Sequence, residues 1–239
     1  MVFVQRIKAA LRMLWFAGIS SESYIQYLRS HGVKVGRNVR FRDPAMNLID
    51  FSRPASIEFG DNLDINSGFT ILNHDFGTFA LRGVYQDYIN SWGRVKIGNN
   101  IVIGQNVTIL KGVTIGDNCI IGIGSLLTKS IPPNSVVAGR PAKVISTLDD
   151  YYKKRKSLQV QEGLDYGRSI LNSGREPEIE DFTEEWVLFL TKQEYESNAT
   201  VKRYVDRRLK GYVDIDEFLS RPKPFTSFAD FLKAIKKEK

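Results

Sequence analysis

The chain is poor in the residues that build disulfides and most transition-metal sites. Its 239 residues include one cysteine, Cys119, and two histidines, His31 and His74. A single cysteine excludes an intramolecular disulfide and weakens any cysteine-based metal site. The three-histidine zinc site of a hydratase is also disfavoured, because only His74 falls within the repeating part of the sequence. We therefore expect no metal.

Long apolar runs and processing signals are missing too. No stretch reaches about 18 uncharged apolar residues, so we expect no transmembrane segment. Arg6, Lys8 and Arg12 interrupt the N-terminal apolar residues, which is unlike a secretory signal. These features lead us to expect a cytoplasmic protein. The same basic, amphipathic N-terminus either covers the open end of a β-structure or makes peripheral contact with a membrane surface.

Positive charge is in excess, with a formal net charge of +7 and a sequence pI of about 9.4. Such a balance suits nucleic acid, an anionic membrane or a phosphorylated small molecule. No nucleic-acid recognition motif accompanies the charge, and no basic stripe is interleaved with aromatic residues. We therefore expect no nucleic-acid partner.

A six-residue periodicity dominates the middle of the chain. The repeated aliphatic positions are Ile97, Ile103, Ile109, Ile115, Ile121 and Leu127. A fixed short period predicts a stack of very short parallel strands, with three units in each triangular coil. A second inward position is expected four residues on, at Ile101, Val107, Val113, Cys119 and Ser125. Asn and Gly suit the corners because they tolerate left-handed backbone angles; they stand at Asn100, Asn106, Gly112 and Asn118.

Three regions separate by pattern: an N-terminal helical cap, a repeat domain and a helical C-terminal extension, at residues 1–32, 33–146 and 147–239. The cap includes a helix that begins near Ser21 and ends before Gly32, where His31 has a structural role. Candidate helices of the extension lie near residues 149–157, 183–194, 199–210 and 226–236. The repeat is interrupted between Ile71 and Ile97, whose separation is not a multiple of six, so we expect an excursion over about 73–94.

Two groups of residues at the interruptions of the repeat could carry out chemistry or bind a ligand. His74 lies where the chain enters the excursion, and an imidazole accepts and returns a proton near neutral pH. Its neighbour Asp75 is not automatically its partner, because successive strand residues point to opposite faces. The second group follows the repeat, where small residues permit a close approach by a thin ligand and three cations could hold phosphates: Lys129, Arg140 and Lys143.

Taken together, the periodicity, the Asn73-His74-Asp75 exit and the Gly-Arg-Pro-Ala-Lys run at 139–143 resemble the hexapeptide-repeat acyltransferases. Within that family the chain looks most like the galactoside, maltose and colanic-acid O-acetyltransferases. The resemblance implies a mainly β fold, a left-handed parallel β-helix with helical additions. It also implies a homotrimer in which each site lies between two chains.

The same resemblance assigns roles to residues. His74 matches the catalytic base, acetyl-CoA is the cosubstrate, and a sugar or polysaccharide hydroxyl is the acceptor. Acceptor contacts are expected from Asn73, Asp75 and Trp92. Cofactor contacts are expected from Ile123, Gly124, Ser125, Thr128, Lys129, Arg140 and Lys143. The sequence departs from many relatives at Val102, where they have Trp, and at Ile123, where they have Ala.

Several alternatives stay open at this level. The acceptor could be a non-sugar molecule, such as an amine on a nucleotide sugar or an antibiotic hydroxyl. The repeat could also be a non-catalytic scaffold whose extension binds a partner. Aromatic residues of the excursion could stack on a sugar ring or pack on a neighbouring chain: Phe76, Phe79, Tyr85, Tyr88 and Trp92.

Overall fold

A computed structural model of the chain describes residues 18–237 and divides it into two compact units, with the boundary between Tyr152 and Lys153. Over residues 18–152, the first unit contains fourteen short strands. They are β1 (Lys34–Val35), β2 (Val39–Phe41), β3 (Leu48–Ile49), β4 (Ile57–Phe59), β5 (Leu63–Ile65), β6 (Thr70–Leu72), β7 (Val95–Ile97), β8 (Ile101–Ile103), β9 (Thr108–Leu110), β10 (Thr114–Ile115), β11 (Cys119–Ile121), β12 (Leu126–Leu127), β13 (Ser135–Gly139) and β14 (Ala142–Thr147).

The strands form three sheets, and the chain visits them in rotation. The first sheet has the order β1-β4-β7-β10, the second β2-β5-β8-β11-β13-β14, and the third β3-β6-β9-β12. All neighbours pair in parallel except β13 and β14, which are antiparallel. Each turn of the chain therefore has three sides and three corners. We call the corner between the second and third sheets the slot corner, and the corner between the third and first sheets the exit corner.

The core of this unit is the column of inward aliphatic residues that the periodicity predicts. Ile97, Ile103 and Ile109 have no exposed surface, and the second inward positions, including Cys119 and Ser125, are also buried. This burial confirms the predicted inward faces. Burying an aliphatic side chain of this size stabilises a fold by about 1.5–3 kcal/mol, so the repeated column accounts for much of the stability of the stack.

One corner carries a ladder of asparagines with left-handed backbone angles. Asn62, Asn100 and Asn118 have φ between 56° and 59°, and Asn38 and Asn134 extend the row. The amide of each donates to the side-chain oxygen of the next, over 2.9–3.0 Å. The same residue type thus permits the turn and joins successive coils.

Two insertions break the regular coil. Partners on adjacent coils are 18 residues apart at Ile97 and Ile115, but 38 apart at Ile71 and Ile109, which is 20 more. The extra residues leave the stack between β6 and β7 and include helix α2 (Thr78–Tyr85). An earlier coil is lengthened to 22 residues, from Ile49 to Ile71, by the segment that contains the 3-10 turn Pro54–Ser56. A second 3-10 turn, Pro44–Met46, lies between β2 and β3.

The N-terminal helix α1 (Ser21–Ser30) agrees with the expected helix near Ser21. Its cap is Ser20, whose side chain accepts from the Ser23 N–H. His31 closes the helix, and its Nδ1 lies 2.8 Å from the Tyr27 carbonyl oxygen, which supports the structural role. The amphipathic segment at residues 1–17 lies outside the described residues.

The second unit is helical and has its own aromatic core, which includes Phe182, Trp186, Phe189 and Phe231. Its helices are α3 (Leu148–Asn172), which begins within the first unit, α4 (Lys192–Ser197), α5 (Ala199–Leu209), α6 (Ile215–Ser220) and α7 (Phe228–Lys236), together with the 3-10 turns Ile179–Asp181 and Glu185–Leu188.

Several predictions for this region were wrong in detail. Helix α3 runs well beyond residue 157. It contains Gly163 and Gly167, which disfavour a helix in isolation but permit close packing against Leu188 and Ile235. A Cβ on Gly167 would lie 2.4 Å from Ile235 Cδ1. The expected helix at 183–194 is instead a 3-10 turn followed by α4, and α6 was not predicted.

The asparagine ladder predicts unequal effects of two substitutions. Asn100→Ala loses both ladder hydrogen bonds and leaves in the left-handed region a residue that tolerates it less well than Asn, so we expect a loss of about 2 kcal/mol in unfolding free energy. Asn100→Gly loses the ladder without that strain, and its loss should be smaller by about 0.5–1 kcal/mol. Urea unfolding measures both, and equal losses would show that the backbone angle is not a constraint.

Candidate functional site

His74 lies at the neck of the excursion, two residues after β6. The neck is closed by two backbone hydrogen bonds, from Asp75 N–H to the Ser91 carbonyl at 3.1 Å and from Gly93 N–H to the Asn73 carbonyl at 3.0 Å. Between them His74 pairs with Trp92 as an isolated antiparallel bridge. The backbone of the candidate base is therefore held on both sides.

The Nδ1 atom of His74 meets two oxygens from the preceding coil. Asp50 Oδ2 forms a very short contact with it, and Ser52 Oγ lies 2.9 Å away. Both residues follow β3, which pairs with β6 so that Ser52 comes opposite His74. The partner that orients the ring is thus Asp50, and not the adjacent Asp75.

The surrounding hydrogen bonds determine which ring nitrogen carries the proton. The Asn73 amide donates to the Arg53 carbonyl at 2.9 Å and to Ser56 Oγ at 3.1 Å, so its Oδ1 is the acceptor for the Ser52 hydroxyl at 3.2 Å. Because Ser52 uses its single hydrogen there, it accepts from His74, as does the Asp50 carboxylate. Nδ1 is therefore protonated, and the lone pair of the neutral ring is on Nε2.

The His74–Asp50 pair is largely buried but still reaches solvent. The side chains of His74 and Asp50 are 19% and 10% exposed, and the ring of Phe76 meets the imidazole edge-to-face at 4.7 Å. Burial acts to raise the pKa of Asp50, but the Ser52 N–H and the His74 ring outweigh it and hold that pKa below its usual value. Asp50 is therefore ionised at neutral pH, which stabilises a positive charge on the ring.

Asn73 does not fit the predicted contact with an acceptor. It has no exposed surface, and its amide is fully used by Arg53, Ser52 and Ser56. The Asn73 side chain points inward because the preceding strand residue, Leu72, points outward. It supports the Asp50–His74 pair by accepting a hydrogen bond from Ser52. The prediction of a binding role for its side chain is corrected to a structural one.

Asp75 and Trp92 flank His74 on the two sides of the neck. Asp75 contacts the Lys111 ammonium and accepts from Ser91 Oγ at 2.9 Å; these bonds, with one from Gly77 N–H, lower its pKa to about 2. Trp92 is about half exposed, and the Arg53 guanidinium lies 5.9 Å from its ring centre. Trp92 therefore offers an aromatic surface beside the base.

Three of the residues expected to contact the cofactor, Ile123, Gly124 and Ser125, lie at the slot corner, between β11 and β12. Gly124 has φ of +69°, and its N–H donates to the Gln105 carbonyl of the coil below at 2.7 Å. Ile123 is exposed, whereas the side chain of Ser125 is buried and donates to the Gly122 carbonyl at 2.6 Å. Ser125 can thus contribute backbone but not its hydroxyl to a ligand.

The predicted cations are exposed at two places. Thr128 and Lys129 follow β12 at the exit corner, and Arg140 and Lys143 belong to the β13–β14 hairpin. Within residues 18–237 none of the three cations forms a salt bridge with a side chain. The hairpin lies beside β11, so that Ala138 approaches Gly122. This brings Arg140 and Lys143 to the edge that also holds the slot corner.

The topology separates the base from the slot within one chain. His74 leaves the third sheet at the exit corner, whereas Ile123 and Gly124 enter that sheet at the slot corner, on a coil two levels higher. The length of one strand and two coil spacings of about 4.8 Å each lie between them. A single chain therefore does not bring the predicted base and the predicted slot face to face.

Other candidate groups are accounted for by packing. Cys119 is buried in the core, and burial raises the pKa of its thiol.

Over residues 18–237, no cluster of three or more His, Cys, Asp or Glu side chains is arranged to hold a metal ion. In the same range, each helix is too short or too polar to cross a bilayer.

Comparison with known proteins gives a family. The family model described as "Bacterial transferase hexapeptide (six repeats)" matches residues 94–129. Protein CapG of Staphylococcus aureus is 37% identical over 143 residues, which cover 60% of this chain and 79% of CapG. The chain belongs to the hexapeptide-repeat transferase family. The prediction that it is an acetyltransferase of this family is confirmed.

Two further relatives have names that state an activity. The putative acetyltransferase YvoF of Bacillus subtilis (strain 168) is 33% identical over 141 residues, covering 59% of this chain and 74% of that protein. Galactoside O-acetyltransferase of Escherichia coli (strain K12) is 55% identical over 64 residues, covering 25% of this chain and 32% of that enzyme.

The tautomer of His74 is directly testable. At a pH that keeps the ring neutral, we expect the proton on Nδ1, because both neighbours of that atom are acceptors. Nitrogen-15 chemical shifts of labelled histidine report the tautomer. The double variant Asp50→Ala/Ser52→Ala should lose the preference, and a wild-type ring protonated on Nε2 would contradict the hydrogen-bond assignment.

Proposed function

We propose that the chain transfers an acetyl group from acetyl-CoA to a hydroxyl of a sugar or polysaccharide, with His74 as the general base. The observation that carries this proposal is the hydrogen-bonded Nδ1 of His74, which leaves Nε2 as the proton acceptor on a partly exposed ring. Family membership supports acetyl transfer, and a galactoside is the acceptor named for one relative.

The mechanism follows from these groups. His74 Nε2 removes the acceptor proton while the acceptor oxygen attacks the thioester carbonyl carbon. The new C–O bond forms, the C–S bond breaks, and the imidazolium returns the proton to the departing thiolate. Asp50 stabilises the transient imidazolium, and Ser52 and Asn73 keep the ring in position. No covalent intermediate with the protein is needed.

The donor site requires a second chain in this proposal. Since the slot corner and the exit corner are separate on one stack, His74 of one copy works with Ile123 and Gly124 of another. A closed homotrimer of left-handed β-helices would repeat this pairing three times, because each copy offers one corner of each kind. The three-sided parallel topology supports that arrangement.

The exposed cations and aromatic side chains of the chain support the choice of donor and acceptor. Coenzyme A carries phosphates at its nucleotide end, and exposed cations could hold them: Arg140 and Lys143 near the slot corner, and Lys129 at the exit corner. The acceptor would lie against Trp92 and Phe76, whose exposed rings offer a stacking face for a sugar beside the base. Because the donor is a cytoplasmic metabolite, we place the reaction in the cytoplasm.

The assay that tests this proposal follows free thiol released from acetyl-CoA in the presence of sugar acceptors. His74→Gln should lower the rate by about 10²–10⁴-fold, the usual contribution of a general base. Asp50→Asn should lower it less, by about tenfold or more, because the ring remains but its orientation and charge stabilisation weaken. His31→Gln, which changes the other histidine, is the matched control and should keep the wild-type rate.

Equal rates for His74→Gln and wild type would refute the role of His74. Thiol release with amines but not with hydroxyl acceptors would show that the acceptor class is wrong while the base is right.

A further inference from the structure

Lys111 makes a contact with the excursion that the acetyl-transfer mechanism does not use. It follows β9 on the coil above His74, and the pairing of β6 with β9 brings it level with Asn73. Its ammonium contacts both Asp75 Oδ2 and Ser91 Oγ, and Ser91 also donates to Asp75. Three polar groups thus meet on one side of the neck, and two of them belong to the excursion.

These contacts act on the residues that hold the backbone of His74. Asp75 and Ser91 are also joined through their main chains, by the Asp75 N–H and the Ser91 carbonyl. A change in the position of either residue therefore moves His74, which lies between Asn73 and Asp75. Lys111 is the group that fixes this pair to the regular stack, since it projects from the next coil rather than from the excursion itself.

The other side of the neck is tied less directly. Arg53, on the coil below, donates to Asn90 Oδ1 at 3.3 Å and lies 5.9 Å from the Trp92 ring centre. Gly93 passes close to the stack, where a Cβ would lie 2.6 Å from the Gly112 nitrogen. Close packing thus holds the returning strand at Gly93, whereas the Lys111 ion pair holds Asp75, the residue that follows His74 on the outgoing strand.

We propose that Lys111 is a positioning residue, which clasps Asp75 and Ser91 so that the neck of the excursion presents His74 in its working orientation. This inference rests on the acetyl transfer proposed above. It assigns Asp75 to the clasp rather than to the acceptor. The side chains of Lys111 and Asp75 are 34% and 46% exposed, so the pair acts by fixing geometry at the surface and adds little to global stability.

A double-mutant cycle tests the clasp. Lys111→Met, Asp75→Asn and the double variant should each lower kcat by about tenfold with the acceptor KM unchanged, because all three remove the same interaction. Lys111→Arg should restore most of the rate. Lys96→Met is the matched control, since Lys96 forms a longer ion pair with Glu58, at 3.8 Å, on the outer face of the first sheet.

Amide hydrogen exchange gives a readout that needs no substrate. In Lys111→Met the amides of Asp75 and Gly93 should exchange faster than in wild type, while those of β8 and β11 stay protected. Unchanged kcat and unchanged exchange would overturn the clasp. A raised acceptor KM in Asp75→Asn alone would also overturn it, because it would make Asp75 an acceptor ligand.

The exchange experiment keeps this proposal separate from the proposed function. If the wild-type protein shows no His74-dependent thiol release, acetyl transfer fails, and the exchange of Asp75 and Gly93 still supports or overturns the clasp.

Discussion

The structure depends on parallel coils that stack in register with almost no space between their corners. A Cβ on Gly60 would lie 2.4 Å from the Gly98 carbonyl oxygen, and a Cβ on Gly104 would lie 2.6 Å from the Ile123 nitrogen. Side chains are therefore excluded at many of the turns, while the inward positions must be aliphatic or small. A chain under these constraints can place reactive groups mainly at its outward corners or where it leaves the stack.

His74 shows how such a departure is used. The residues between β6 and β7 depart from the coil, and the first of them face a coil whose own lengthening brings Asp50 and Ser52 within reach. Two local irregularities, one above the other, thus give His74, the proposed base, its hydrogen-bond partners. The fixed stack then limits how far the ring can move, which is the condition for efficient proton transfer.

The sequence was informative where spacing alone decides the structure. The inward positions at Ile97 and its repeats, and the left-handed corners at Asn100 and Asn118, follow from a period that the backbone must obey. Asp50 could not be found in this way. Its coil is 22 residues long because of the segment that contains the 3-10 turn Pro54–Ser56, so counting in sixes gives the wrong register opposite His74. Aligning Leu48–Ile49 with Thr70–Ile71 on adjacent coils would have placed Asp50 and Ser52 beside His74.

Side-chain direction was the other limit of the sequence. Asn73 and Asp75 are both polar neighbours of His74, yet one is buried under the pair and the other bonds to Lys111, 36 residues away. Such contacts depend on which residues of the neighbouring coils lie opposite, and the six-residue period does not give this register across the excursion. The helix expected near residues 149–157 is longer for a related reason, because only the packed partners Leu188 and Ile235 show why α3 contains Gly163 and Gly167.

The central claim is that one copy supplies His74 and another supplies the slot. Subunit complementation tests it most directly. His74→Gln and Arg140→Glu/Lys143→Glu are each expected to be inactive, and the two chains are then produced together with different tags. Hybrid trimers isolated through both tags should recover about a third of the wild-type rate, since one of their three interfaces pairs an intact base with an intact slot. Hybrids as inactive as the parent variants would contradict a site shared between copies.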